Sequence, residues 1–214
     1  MSEEIRKPSI DCARNGPYIV KRMDRLANSK GEALEAKKVM ALCRCGGSAN
    51  KPFCDGTHSK IGFSGERSSE RPPTAEQLRY EGAGITVLDN RTVCAHAGAC
   101  TDGLPAVFRL GTEPWIEPTG ADAEAIAAAV RQCPSGALSY LLGGAAPADD
   151  GSAPAITVSK DGPYWVTGAE LQDEATGQRP QFPERYALCR CGQSKNKPFC
   201  DGAHWSVEFR DEKN

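Results

Sequence analysis

Cys43-Arg44-Cys45-Gly46-Gly47-Ser48-Ala49-Asn50-Lys51-Pro52-Phe53-Cys54-Asp55-Gly56-Thr57-His58 places three thiols and one imidazole within a single short loop. The series returns near the C-terminus as Cys189-Arg190-Cys191-Gly192-Gln193-Ser194-Lys195-Asn196-Lys197-Pro198-Phe199-Cys200-Asp201-Gly202-Ala203-His204, 146 residues on. The same offset carries Pro8, Ile10, Gly16, Pro17, Tyr18, Val20 and Phe63 onto Pro154, Ile156, Gly162, Pro163, Tyr164, Val166 and Phe209. Two modules of like sequence, 8–63 and 154–209, therefore flank a different central unit at 80–142. Segments 64–79 and 143–153, rich in Ser, Glu, Arg, Pro and Gly, read as linkers.

The chain has 214 residues, so each unit is small. A unit of about 60 residues buries only about 60% of its unfolded surface and usually needs a metal, a disulfide or a partner to hold it. Ten cysteines could supply disulfides in a secreted protein. Nine of them fall into three triplets, each with a histidine nearby, and that grouping points to metal ligation.

With 26 basic and 28 acidic residues the formal charge is -2, and the two signs are interspersed. No basic field for nucleic acid or an anionic membrane results. The longest apolar stretch, 121–142, contains Asp122, Glu124 and Arg131 and is not a membrane span. The acidic N-terminal residues lack the apolar core of a secretory signal, so a cytoplasmic location is expected. No glycine-rich phosphate loop or nucleophile-base motif is present, and no enzymatic activity is expected.

Each C-x-C-x8-C-x3-H loop offers a full set of four ligands. Ligand types alone leave a closed zinc site and an iron-sulfur cluster both open. Gly46 and Gly56, with Gly192 and Gly202 in the second copy, permit the tight backbone such a loop needs. The complete pattern, C-x-C-x2-(S/T)-x3-P-x-C-D-G-(S/A/T)-H, resembles the CDGSH, or NEET, iron-sulfur family at every specified position, twice. The resemblance implies a 2Fe-2S cluster on Cys43, Cys45, Cys54 and His58 and another on Cys189, Cys191, Cys200 and His204. It also implies that the two motifs face each other. Here that means an intrachain pseudo-dimer about a pseudo-twofold axis, in a protein that is a monomer.

A histidine in place of one thiolate makes an oxidised cluster less negative than its all-cysteine counterpart. The expected potential lies above that of plant-type ferredoxins, the direction seen in Rieske centres. The free imidazole nitrogen couples the electron to a proton. Arg44, Lys51, Arg190 and Lys197 lie near the loops in sequence, either to offset cluster charge or as solvated surface.

In the central unit, Cys94-Ala95-His96-Ala97-Gly98-Ala99-Cys100 and the later Cys133-Pro134 resemble a bacterial ferredoxin loop whose middle cysteine has become Ala97. Cys94, Cys100 and Cys133 suffice for a 3Fe-4S cluster; a 4Fe-4S cluster would need His96, a carboxylate such as Asp102, or solvent as well. Gly84–Leu88 reads as a strand. Thr119–Asp122 reads as a helix N-terminus, with Ile126, Val130 and Cys133 on the apolar face. Cys12 alternates with Ile10 and is expected to pack in a core. Trp115, Trp165 and Trp205 are expected in cores or turns.

The expected fold class is α+β: two small β-rich modules paired within the chain, plus a small α+β ferredoxin-like domain. The expected function is electron transfer through two 2Fe-2S clusters and one ferredoxin-type cluster, with redox proteins as partners. The alternatives are cluster transfer to apo-protein acceptors and a metal-stapled structural scaffold.

Overall fold

A computed structural model describes residues 7–69, 77–148, 152–173 and 177–214. It contains β1 (Ser9–Cys12), β2 (Tyr18–Lys21), β3 (Leu26–Ala27), β4 (Val39–Leu42) and α1 (Thr57–Lys60) in the first module. The second module repeats this order as β8 (Ala155–Val158), β9 (Tyr164–Thr167), β10 (Glu170–Gln172), β11 (Arg185–Leu188) and α4 (Ala203–Ser206). Between them lie β5 (Leu78–Glu81), β6 (Ile85–Asp89), α2 (Ala99–Gly103), α3 (Ala123–Arg131) and β7 (Leu138–Leu142). The architecture is α+β.

The first strand of each module ends at a tight turn, because Ala13 N–H donates to the Pro17 carbonyl and Ser159 N–H to that of Pro163, both at 3.1 Å. The turns need a left-handed residue, supplied by Asn15 (φ 48°) and Asp161 (φ 47°). β1 therefore stops at Cys12.

The modules exchange strands. The first sheet runs β10-β1-β2-β4 and the second β11-β9-β8-β3, so each borrows its third strand from the other module. Both borrowed strands pair in parallel, with Ile10 opposite Leu171 and Leu26 opposite Ile156. These partners also correct the uniform repeat offset, since the equivalent leucines, Leu26 and Leu171, are 145 residues apart. One position is lost before the exchanged strand and recovered by β4 and β11, where Leu42 and Leu188 are again 146 apart.

A single core results. Ile10, Tyr18, Val20, Leu26 and Leu42 pack with Ile156, Tyr164, Val166, Leu171 and Leu188 in one buried cluster. Truncating such a residue to alanine costs about 2–5 kcal/mol. Each module packs directly against the other in this core, which is the intrachain pseudo-dimer read from the repeat.

The central unit is an antiparallel sheet, β5-β6-β7, with α3 packed on β7. Asp122 caps α3 by accepting from Ala125 N–H at 2.8 Å, while Ile126 and Val130 bury the helix face against Ile85, Val87, Leu138 and Tyr140. Cys133 lies just beyond the end of the helix and is buried. Leu78 and Arg79, in the segment read as linker, already pair with Asp89 and Leu88. Gly65 and Ser68 of the same segment bond to the modules through Arg44 and the Lys195 carbonyl. Residues 70–76 and 149–151 of the two linkers lie outside the described residues.

Candidate metal centres

Each ligand loop is built by its own motif. β4 delivers Cys43 straight after Leu42, and the loop closes where Cys43 N–H donates to Pro52 O and Cys54 N–H to Ala41 O, both 2.8 Å. Ser48 ties the interior, donating to Phe53 O at 2.7 Å and accepting from Asn50 N–H at 3.0 Å. The Asp55 carboxylate accepts from Thr57 N–H (3.0 Å) and Ala49 N–H (2.8 Å), joining the start of α1 to the far side of the loop. Hydrogen bonds from Thr57, and then from Ala49, hold Asp55 well below the usual carboxylate range. Ser194 and Asp201 repeat these bonds in the second loop. Gly56 and Gly202, both at φ 85°, make the left-handed step that lets α1 and α4 present His58 and His204.

The ligands come together two by two. Cys43 Sγ lies 3.8 Å from Cys45 Sγ, and Cys54 Sγ lies 3.3 Å from His58 Nδ1. The second loop gives 3.8 Å for Cys189 and Cys191 and 3.4 Å for Cys200 and His204 Nδ1. Two sulfurs bound tetrahedrally to one metal at about 2.3 Å stand about 3.8 Å apart. Each pair therefore fits one metal ion. Among the described residues no three such side chains crowd one point closely enough to hold a single ion. Each loop thus presents its donors as one Cys-Cys pair and one Cys-His pair.

Backbone amides face the sulfurs: Gly47 N–H donates to Cys45, Gly56 to Cys54 and Gly202 to Cys200, each at 3.4 Å. Burial pushes the Cys45 and Cys200 thiols up, so metal binding there displaces protons. Cys189 is also raised, chiefly by its bond to Cys191, which that same bond lowers. Burial holds His204 below the ordinary histidine value.

The two loops touch at the pseudo-twofold axis. Cys45 and Cys191 form an antiparallel bridge, and a Cβ on Gly46 or Gly192 would run into the opposite Cys191 or Cys45 carbonyl. Tyr18 donates to Cys189 O (2.9 Å) and Pro198 O (3.0 Å), and Tyr164 donates to Cys43 O (2.9 Å) and Pro52 O (3.1 Å). Burial raises both phenols, keeping them protonated as donors. Sequence reasoning missed these hydroxyls; the repeated Gly-Pro-Tyr was their only signal.

Arg44 and Arg190 are not surface residues. Arg190 is fully buried and donates to Gly162 O (2.7 Å), Ser159 O (2.8 Å) and the Asp211 carboxylate. Arg44 donates to Gly65 O (2.8 Å) and Ala13 O (3.3 Å) beside the Tyr18 ring. Lys51 and Lys197 are partly buried and donate to Ser48 O and Ser194 O within their own loops.

In the central unit Cys94, Cys100 and Cys133 line one cavity of about 330 Å³, together with Asp89, Arg91, Glu113 and Trp115. Burial raises Cys94 and Cys100. Asp89 is already engaged, accepting from Arg91 and from Trp115 Nε1 at 3.0 Å each. His96 also borders the cavity, and its ring lies against Gly202 of the second module. Asp102 accepts weakly from Thr101 and does not line the cavity. Trp115 is buried, Trp165 packs beside Ala187 and Cys200, and Trp205 is 66% exposed.

A family model described as "Iron-binding zinc finger CDGSH type" matches residues 15–59 and again 161–205. The chain belongs to the CDGSH iron-sulfur family. A second model, "Divergent 4Fe-4S mono-cluster", matches residues 80–143 between the two CDGSH modules. The uncharacterized protein YjdI of Escherichia coli K12 is 39% identical over 61 residues, covering 28% of this chain and 80% of that protein. YjdI of Escherichia coli O157:H7 matches to the same extent. No solved structure matches. The chain is thus an iron-sulfur protein with three cysteine sites.

Proposed function

We propose that this CDGSH protein transfers electrons, holding a 2Fe-2S cluster in each CDGSH loop and a ferredoxin-type cluster in the central cavity. The pairwise spacing of the loop ligands carries the reading: two pairs, each fit for one metal, suit a dinuclear cluster better than a single zinc ion. When bound, the clusters supply one-electron redox chemistry at potentials tuned by ligand charge, hydrogen bonds to sulfur and burial. The residues around them set those terms. The Gly47, Gly56 and Gly202 amides stabilise added negative charge on the sulfurs. The His58 ring turns Nδ1 to Cys54 and is only partly buried.

For the central cavity, Cys94, Cys100 and Cys133 serve a 3Fe-4S cluster completely. The family description favours 4Fe-4S, whose fourth iron would take a solvent ligand, because the His96 ring is turned to Gly202. Electron paramagnetic resonance of the oxidised protein separates the two, since only oxidised 3Fe-4S is paramagnetic there.

Partners in this reading are soluble redox proteins of the cytoplasm, and no reaction on a small substrate is assigned to the chain. No helix among the described residues is long and apolar enough to cross a membrane. Cluster donation to apo-proteins is the second reading, favoured by the partial exposure of Cys54 and His58. Redox titration against pH tests the first: His58→Cys and His204→Cys should keep colour, lower the potentials and flatten their pH slopes. Transfer of colour to an apo-ferredoxin as fast as cluster loss would establish donation instead.

A further inference from the structure

The two CDGSH loops differ in how far they are covered. On the second loop Ala187, Asn196, Cys200 and His204 are all buried, the last at 6% exposure. Their counterparts Ala41, Cys54 and His58 are only partly buried, and Asn50 is exposed.

The central unit makes the difference. Asn196 Nδ2 donates to the Thr92 carbonyl at 2.8 Å. Val93 packs against the shared core of the pseudo-dimer, and Ala95 packs with Ala187 and Cys200. The His96 ring meets the Gly202 backbone so closely that a Cβ at Gly202 would run into it. Cys94, in the middle of this run, faces the central cavity. One five-residue segment thus carries a thiol of the central site and covers the second CDGSH loop.

Two observations show that the segment is held in place. His96 sits at φ 54°, a left-handed conformation that costs a non-glycine residue about 1–3 kcal/mol and persists only where surrounding contacts impose it. Farther out, Asn90 bonds to Gln181, and Arg185 Nη1 donates to the Arg131 carbonyl at 2.9 Å. Trp205, where the first loop has Ser59, adds cover by lying beside the His204 ring, centroids 5.5 Å apart. The first loop has a slighter contact, an exposed bond from Lys213 Nζ to the Ala49 carbonyl.

We propose that residues 92–96 form a fixed lid that closes the second CDGSH site to outside molecules. The first site, at the face bearing Cys54 and His58, is then where a partner protein or cluster acceptor engages. Twin sites built by one motif acquire separate roles: an inner site next to the central cavity and an outer one facing solution. The proposal rests on reading both loops as 2Fe-2S sites, which iron and sulfide analysis of the same sample checks independently.

Iron extraction tests it. The loaded full-length protein, reduced at neutral pH, is mixed with excess ferrozine, and the loss of CDGSH absorbance is followed. Two phases of equal amplitude are expected. His58→Cys should slow the fast phase and leave the slow one, while His204→Cys should leave the fast phase unchanged. Asn196→Ala removes one buried hydrogen bond of the lid and should speed the slow phase by roughly fivefold without altering the fast phase. His96→Gly, which relieves the left-handed strain while removing the covering ring, should do the same without lowering fold stability. A single phase, a fast phase slowed by His204→Cys, or a slow phase indifferent to both lid variants would overturn the proposal.

Discussion

The Tyr18 hydroxyl donates to the carbonyl of Cys189, 2.9 Å away in space and 171 residues along the chain. Tyr164 does the same for Cys43 at 2.9 Å. Each module therefore ties down the metal loop of the other, and neither loop is fully built without its counterpart. Tyr18→Phe should leave the buried Cys189 carbonyl short of a donor, while Pro198 O keeps its bond from Cys189 N–H, at a cost of about 1–3 kcal/mol. The denaturant midpoint, followed in the visible and far-ultraviolet bands together, should fall. The loss in cluster colour should appear at the second loop, whose paramagnetic signal broadens or disappears first.

Gly46 and Gly192 meet the opposite loop backbone to backbone. Gly46→Ala should therefore do far more harm than its φ of 79° alone implies, since left-handed backbone costs a non-glycine residue only about 1–2 kcal/mol. Gly31→Ala, at φ 82° with open space around it, is the matched control. Purified Gly46→Ala protein should carry depleted iron in both CDGSH loops, whereas Gly31→Ala should load normally and lose only modest stability.

Asp211 is the charge partner of the fully buried Arg190. In the first module Gly65 stands at the equivalent position, and Arg44 is held by carbonyls. Removing one partner of a buried ion pair typically costs about 3–5 kcal/mol. Asp211→Ala should accordingly destabilise the protein by several-fold more than an exposed acid-to-alanine change such as Glu35→Ala, read as the shift in thermal midpoint.

Cys12 lies in a core position that its counterpart, Val158, fills with a hydrocarbon. Burial pushes its thiol up from 9.0 to about 12, with the Arg44 charge opposing. A thiol whose folded value is raised contributes stability that is intact below the unfolded value and lost as pH rises from there through the folded one. Cys12→Val should thus change stability at neutral pH by less than about 1.5 kcal/mol. It should also flatten the part of the alkaline loss that falls between about pH 9 and pH 12. Urea midpoints at neutral and alkaline pH, compared between the two proteins, give that difference directly.

The metal loops and the α+β class were legible because their chemistry demands particular residues at particular spacings: a thiol, imidazole, glycine or proline out of place would have broken the pattern. The pairing of modules was legible from the repeated Ile10, Tyr18 and Val20. The strand exchange was not, since β3 and β10 are two and three residues long and carry no periodicity. Nor was the one-residue slip at Leu26 and Leu171, which only the sheet register reveals. Arg44 and Arg190 looked like solvated charges because their carbonyl and carboxylate partners come from distant segments. The asymmetry at Asn196 and Asn50 is invisible in a repeat, because its cause, the docking of Thr92–His96, lies in the intervening unit.

The central claim is that this chain holds three iron-sulfur clusters. Acid-labile sulfide, measured per chain on protein purified without oxygen, tests it most directly. Two 2Fe-2S clusters with either a 3Fe-4S or a 4Fe-4S cluster give about eight sulfides per chain, so the expected value does not depend on the central nuclearity. A chain that carried zinc and no sulfide would contradict the account.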